Sequence, residues 1–175
     1  MITMKIRSGV EQGASILAML GTQIEEAPVK SEIISSRLDT SPSYLKKVIR
    51  KLVVAGLVNS VSGNNGGFTL AKRADQITVS DLLLAIEGDE KFIELDGLLQ
   101  SIFPESNVAS TGEGILQDIF DQAQKQYLST LHQVTLDTIL CETIGTASYR
   151  RINWNEPVDQ ELFQSLQNAI KKGRY

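Results

Sequence analysis

The 175-residue sequence predicts a mainly α-helical protein with one small two-stranded β-hairpin and a long helix in its second half. Three observations predict this. Apolar residues recur at three- and four-residue spacing from Val10 to Leu52. Two short alternating segments flank the glycine-rich stretch "SGNNGG". A third apolar stripe runs unbroken from Leu116 to Val134.

Residues 9–20, "GVEQGASILAML", place Val10, Ala14, Leu17 and Ala18 on one stripe, widened by Ile16, Met19 and Leu20. This is the pattern of a core-facing helix, ended by Gly21 and the "EEAP" stretch. Residues 29–38 form a second helix with Ile33, Ile34 and Leu38 on its apolar side, and "DTSP" follows as a turn. Ser41 is a good N-cap, and Pro42 sits at the first helical position, where a missing N–H costs nothing. The third helix runs on to a stop at Gly56. Its residues Leu45, Val48, Ile49 and Leu52 face one core, with Ser43, Lys46, Lys47 and Arg50 on the opposite side.

"LVNSVS" alternates through Val58 and Val61, and "GFTLA" through Phe68 and Leu70, so the glycine-rich stretch between them reads as a hairpin tip. Thr78 caps "TVSDLLLAIEG", with Asp81 three residues on as an aspartate version of a capping box, and Gly88 ends that helix. Residues 89–112 are irregular, with one short helix and then a mobile loop expected. From Glu113 a helix of about 20 residues, roughly 30 Å long, carries Leu116, Ile119, Phe120, Ala123, Tyr127 and Leu131 on one stripe. A stripe of that length with few helices left to cover it implies a second copy of the chain, and these six residues are the candidate dimerisation set. Residues 135–146 form a further short helix. In the arm 147–175 a last helix starts at Asn155 or Glu156 with Leu162, Leu166, Ala169 and Ile170 as its stripe, and Tyr149 and Trp154 pin the arm to the body.

The overall charge of −4 hides an asymmetry. Residues 1–80 carry ten basic against six acidic side chains, and residues 81–175 carry seven against fifteen. The first half is thus suited to a polyanion, unless the excess is solvated surface charge. Neither a signal peptide nor an apolar run long enough to span a bilayer is visible, so a soluble cytoplasmic protein without membrane contact is expected. Enzyme chemistry finds no support. The glycines at 63, 66 and 67 are not followed by Gly-Lys-Ser/Thr, and one histidine with no ligand cluster argues against hydrolytic or zinc chemistry.

Helix, helix, short turn, helix and hairpin is the element order of a winged helix-turn-helix. The polar face of the third helix can enter the major groove, its cations meeting phosphates and guanine edges. The candidate DNA-binding set is Arg7, Ser41, Ser43, Tyr44, Lys46, Lys47, Arg50 and Lys51, with Ser62, Asn64, Asn65, Gly66 and Gly67 at the wing. Tyr44 is equally suited to anchor in the core or to meet a phosphate through its hydroxyl. The alternative function is a winged-helix protein–protein module whose basic face meets an acidic partner.

"MKIRSGVEQGASILAML", "SPSYLKKVIRKLVVAGLVNSVSGNNGGFTLAKRADQITVSDLLLAIEG" and the position of the long helix resemble the Rrf2 family of bacterial transcriptional regulators. The resemblance is strong over residues 4–88. It implies a winged helix-turn-helix DNA-binding domain at 1–88, a linker or sensor segment at 89–112, dimerisation helices at 113–146 and a helical arm at 147–175. It also implies a homodimer on a palindromic operator, each recognition helix in a major groove and each wing in the adjacent minor groove. The sequence departs from the family pattern in two places. Many members hold an iron–sulfur cluster on three cysteines after the wing-supporting helix. Here Cys141 is the sole cysteine, and with His132 nine residues away it cannot make that site, so no cofactor is expected. The wing carries Ser62, Asn64 and Phe68 where relatives carry Arg, Pro and Tyr, and Lys46 stands where cluster-binding relatives often have Glu. Operator preference should therefore differ. Cys141 reads as a small buried hydrophobe or as a redox switch, and His132 as structural or as a proton switch. The apolar segment 92–103 reads as core or as the lining of a pocket for a small-molecule effector.

Overall fold

The computed structural model describes residues 8–104, 107–144, 149–150 and 152–157. Seven helices and one hairpin follow one another as α1 (Ser8–Thr22), α2 (Ser31–Arg37), α3 (Pro42–Val54), β1 (Val58–Val61), β2 (Gly67–Leu70), α4 (Val79–Glu87), α5 (Leu98–Ile102), α6 (Asn107–His132) and α7 (Leu136–Ile144). The fold class read from the sequence is the one observed: mainly helical, with a winged helix-turn-helix followed by a long helix.

One core joins α1, α2, α3, α4 and α7. From α1 it takes Ile16, Leu17, Met19 and Leu20, and from α3 Leu45, Val48, Ile49 and Leu52. Leu82 and Ile86 come from α4, and Leu136, Leu140 and Ile144 from α7. Ala14 is a correction to the expected stripe, because it is exposed. The buried face of α1 instead passes through Gly13, where an added Cβ would meet Leu82 Cδ1 at 2.7 Å. Gly21 does not end α1 either. It lies inside the helix, where a Cβ would stand 2.8 Å from Leu140 Cδ1, so its smallness admits α7 rather than stopping α1. Hydrophobic periodicity does not register such contacts, because a glycine contributes nothing to the stripe while its position does.

The helix ends follow local chemistry. Ser41 Oγ accepts the Tyr44 N–H, with Pro42 at the first helical position. The Leu57 N–H donates to the Leu52 carbonyl and the Gly56 N–H to that of Val53, a paired closure in which Gly56, at a φ of 67°, is the expected stop of α3. Thr78 and Asp81 form the expected capping box on α4.

Two expected boundaries move. Val29 is not helical: its N–H and carbonyl exchange two 2.9 Å hydrogen bonds with Phe68, making the α1–α2 linker a third strand-like edge on the wing. The long helix starts at Asn107 rather than Glu113 and runs 26 residues, roughly 39 Å. The sequence "NVASTGEG" has poor helix propensity. It is held helical by packing: Ala109 is fully buried, and α5 lies so close that a Cβ on Gly112 would sit 3.2 Å from Leu99 Cδ1.

The expected pins of the C-terminal arm are in place, whereas its expected last helix lies outside the described residues. Tyr149 is buried and donates to Asp137 Oδ1 at 2.6 Å. Burial, then the Asp137 carboxylate, pushes its phenol up to about 12. The folded state therefore keeps a proton that the unfolded chain releases above about pH 10. The stabilisation is complete below that pH and is lost as pH rises through the folded value. In circular-dichroism melts, Tyr149→Phe should melt below the wild type at pH 8, and the gap should close between pH 10 and 12.

Candidate nucleic-acid interface

Ser43, Lys46, Lys47 and Arg50 are all exposed, one above another on the outer face of α3 over roughly 10 Å of helix. No acidic residue lies on α3, and among the described residues none of the three cations is in an ion pair. The inner face is buried in the core, so the helix has no freedom to turn its cations inward. The result is an unneutralised stripe of positive charge on a rigid support.

Other expected site residues are partly spent on the fold. Lys51 donates through Nζ to the Ile86 carbonyl in the last turn of α4, where a cation also meets the negative end of the helix dipole. Ser41 uses its hydroxyl oxygen as the α3 cap and lies 3.2 Å from Ser43 Oγ. Tyr44 is half-buried, its ring packed on the core as an anchor and its hydroxyl beside Gly9. Arg7 lies outside the described residues.

At the wing, β1 and β2 pair antiparallel with Val61 opposite Gly67 and Val58 opposite Leu70. The tip closes on itself through the Gly66 N–H and the Gly63 carbonyl at 2.9 Å, with Asn64 and Asn65 as the central turn residues. Gly63 has a φ of 109°. Ser62, Asn64 and Asn65 all point to solvent. Gly66 and Gly67 carry no side chain to a ligand; both are positions of close backbone approach. Val61 is 40% exposed: three residues along the strand from the buried Val58, it lies on the opposite face of the ribbon. An open cleft of about 430 Å³ separates the tip from the start of α2.

The comparisons with known proteins now bear on this geometry. The family model Rrf2, described as an iron-dependent transcriptional regulator, matches residues 6–142. The chain belongs to the Rrf2 family. It is thereby a DNA-binding transcriptional regulator of the helix-turn-helix type. It is 44% identical over 139 residues to the HTH-type transcriptional regulator YwgB of Bacillus subtilis, a match covering 78% of this chain and 85% of that protein. It is 37% identical over 140 residues to YffB of Lactococcus lactis, named in the same way, covering 80% and 89%. Among solved structures it is similar to CymR, the global cysteine regulator of B. subtilis, with a TM-score of 0.56 and 25% identity over 84% of this chain and 98% of that one.

The iron named in the family description does not fit these residues. Cys141 is the sole cysteine. It sits on α7 with its thiol 3.8 Å from Asp137 Oδ2, and burial and that carboxylate both push the thiol up, away from the thiolate a metal needs. Among the described residues no group of three or more His, Cys, Asp or Glu side chains is placed to hold a metal. His132 is exposed at the end of α6, its Nδ1 3.2 Å from Ser80 Oγ. No helix among the described residues is long and apolar enough to cross a membrane.

Of the six candidate dimerisation residues on α6, three are exposed and three half-buried in the single chain. Ile119 is 58% exposed and Leu116 38%. Ala123 is exposed, and Phe120 and Leu131 are half-buried. Tyr127 packs within its own chain, its ring 5.7 Å from that of Phe92, in a segment that Gln124 ties down through the Glu90 carbonyl and the Phe92 N–H. Val108 and Ile115, outside that set, are each 58% exposed and continue the Ile119 row toward the start of α6. Their spacing was visible, but the Ser-, Thr- and Gly-rich sequence around them masked the helix. Leu98 and Ile102 of α5, and Phe103 just after it, are exposed.

Proposed function

We propose that the protein is a homodimeric, sequence-specific repressor that binds a palindromic operator. The recognition helix α3 enters the major groove and the wing enters the adjacent minor groove. The observation that carries this is the exposed Ser43, Lys46, Lys47 and Arg50 face, free of acidic partners among the described residues, beside a solvent-facing wing tip. Lys46, Lys47 and Arg50 supply counterion release and guanine contacts, Ser43 an adaptable hydrogen bond, and Ser62, Asn64 and Asn65 the minor-groove contacts. The exposed Val108, Ile115 and Ile119 row supports pairing of α6 with its mate, which would double the charge presented to the DNA. An effector held by segment 92–103 would then lie against the second copy. The acidic-partner alternative explains the cations of α3 but gives the wing tip no task.

Gel retardation of the fragment upstream of the protein's own gene tests the proposal. Specific retardation is expected at low salt and should weaken steeply at higher salt. Arg50→Ala should lose about 1–3 kcal/mol per copy, roughly thirtyfold or more for the dimer. Absence of retardation at low salt would count against DNA reading and for the protein-binding alternative.

A further inference from the structure

Residues 152–155 lie beyond the stretch matched by the family model, yet they are bound into the helix-turn-helix. The end of α1 and the α1–α2 linker present backbone groups to the arm, which satisfies them one after another. The Ile152 N–H donates to the Thr22 carbonyl and the Ile24 N–H to the Ile152 carbonyl, a parallel bridge. Trp154 donates through its backbone N–H to Gln23 Oε1 at 2.9 Å and through Nε1 to Thr22 Oγ1 at 3.0 Å. Gln23 is 1% exposed, so these partners are shielded from water.

Asn155 makes the pair of contacts on which the inference turns. Its Nδ2 donates to the Pro28 carbonyl at 2.9 Å, and its Oδ1 accepts the Lys30 N–H at 3.1 Å. One amide thus brackets Val29, the residue hydrogen-bonded on both sides to Phe68 of the wing. Lys30 is also the N-cap of α2. At the far end of α2, the Arg37 guanidinium lies 5.8 Å from the Trp154 ring. The arm therefore grips both ends of α2 and, through Val29, strand β2 of the wing.

We propose that Asn155 and Trp154 are positioning residues for DNA reading: the docked arm fixes the placement of the wing relative to α2 and α3, so arm docking and operator binding favour one another. This rests on the DNA-binding reading above. Coupling of this kind is reciprocal, so bound operator should hold the arm in place as firmly as the arm prepares the site.

Trp154 is the single tryptophan of the chain, so its fluorescence reports the arm directly. The full-length wild type, Asn155→Ala and Asn155→Asp are compared on the upstream fragment and on a random duplex of equal length, with acrylamide quenching of Trp154 measured in each state. Asn155→Asp keeps the acceptor for Lys30 and loses the donor to Pro28. Asn155→Ala should bind the upstream fragment about tenfold more weakly, with random-duplex binding within about twofold of wild type. Asn155→Asp should fall between. Quenching should rise in free Asn155→Ala and return toward the wild-type value when the upstream fragment saturates it. A wild type that prefers neither DNA overturns the DNA-binding reading and this one with it. If the wild type is specific, two results overturn the arm inference alone: Asn155→Ala with raised quenching but unchanged specific affinity, or equal losses on both duplexes with a lowered melting temperature.

Discussion

Gly67→Ala is expected to loosen the wing from the linker that precedes α2. A Cβ at Gly67 would lie 2.4 Å from the Val29 carbonyl oxygen and 2.7 Å from its carbon, both backbone atoms with no rotamer to move aside. The backbone at 67 is extended, so the cost is steric. To admit the methyl, Val29 must retreat, and both of its hydrogen bonds to Phe68 are then stretched or lost. Two broken bonds at about 1 kcal/mol each, with the desolvated groups left behind, put the loss at about 3 kcal/mol. Chemical denaturation should show the midpoint falling with an unchanged slope. Hydrogen exchange should localise the loosening to Val29 and Phe68. Wild-type stability in Gly67→Ala would mean that the linker is not held against the wing.

Ile119→Asp is expected to leave the protomer folded and abolish pairing. Ile119 is 58% exposed in the single chain, so a charge there is solvated and costs the monomer little. In a twofold pair on α6 it would place two carboxylates, one from each copy, in an apolar seam. Burying an unpaired charge costs several kcal/mol per copy, enough to outweigh the contribution of the isoleucines themselves. Sedimentation velocity should show a monomer with a native melting curve. Affinity for the upstream fragment should fall at least a hundredfold, because each half-site is then held alone. A dimer that survives the substitution would place the interface elsewhere.

The recognition helix was legible in the sequence almost to the residue, because amphipathic spacing, an Ser-Pro start and a glycine stop are all local signals. So was the capping box at Thr78. What was hidden depends on tertiary contact. Gly13 and Gly21 are buried by what packs against them, which no stripe records. Val29 has the look of a helix start and becomes an edge of the wing because Phe68 lies beside it. The first two turns of α6 are composed like a loop and are helical because α5 covers them. At the interface itself, Lys51 could not be separated from Lys46 and Lys47 by sequence, since only the position of the Ile86 carbonyl draws it away. Trp154 gave a hint of anchoring and Asn155 read only as a possible helix start; neither pointed to the target, which lies more than 120 residues earlier in the chain.

The wing tip closes through its own backbone, and its three polar side chains touch nothing else in the body that needs them. Gly66 and Gly67 are fixed by space, since a Cβ on Gly66 would fall 2.3 Å from the Val61 carbonyl oxygen. Positions 62, 64 and 65 are therefore an exchangeable cassette on an invariant frame. Under the proposed function, transplanting the three residues from regulators with other targets is expected to change which sequences are bound while leaving the frame that presents them as it is.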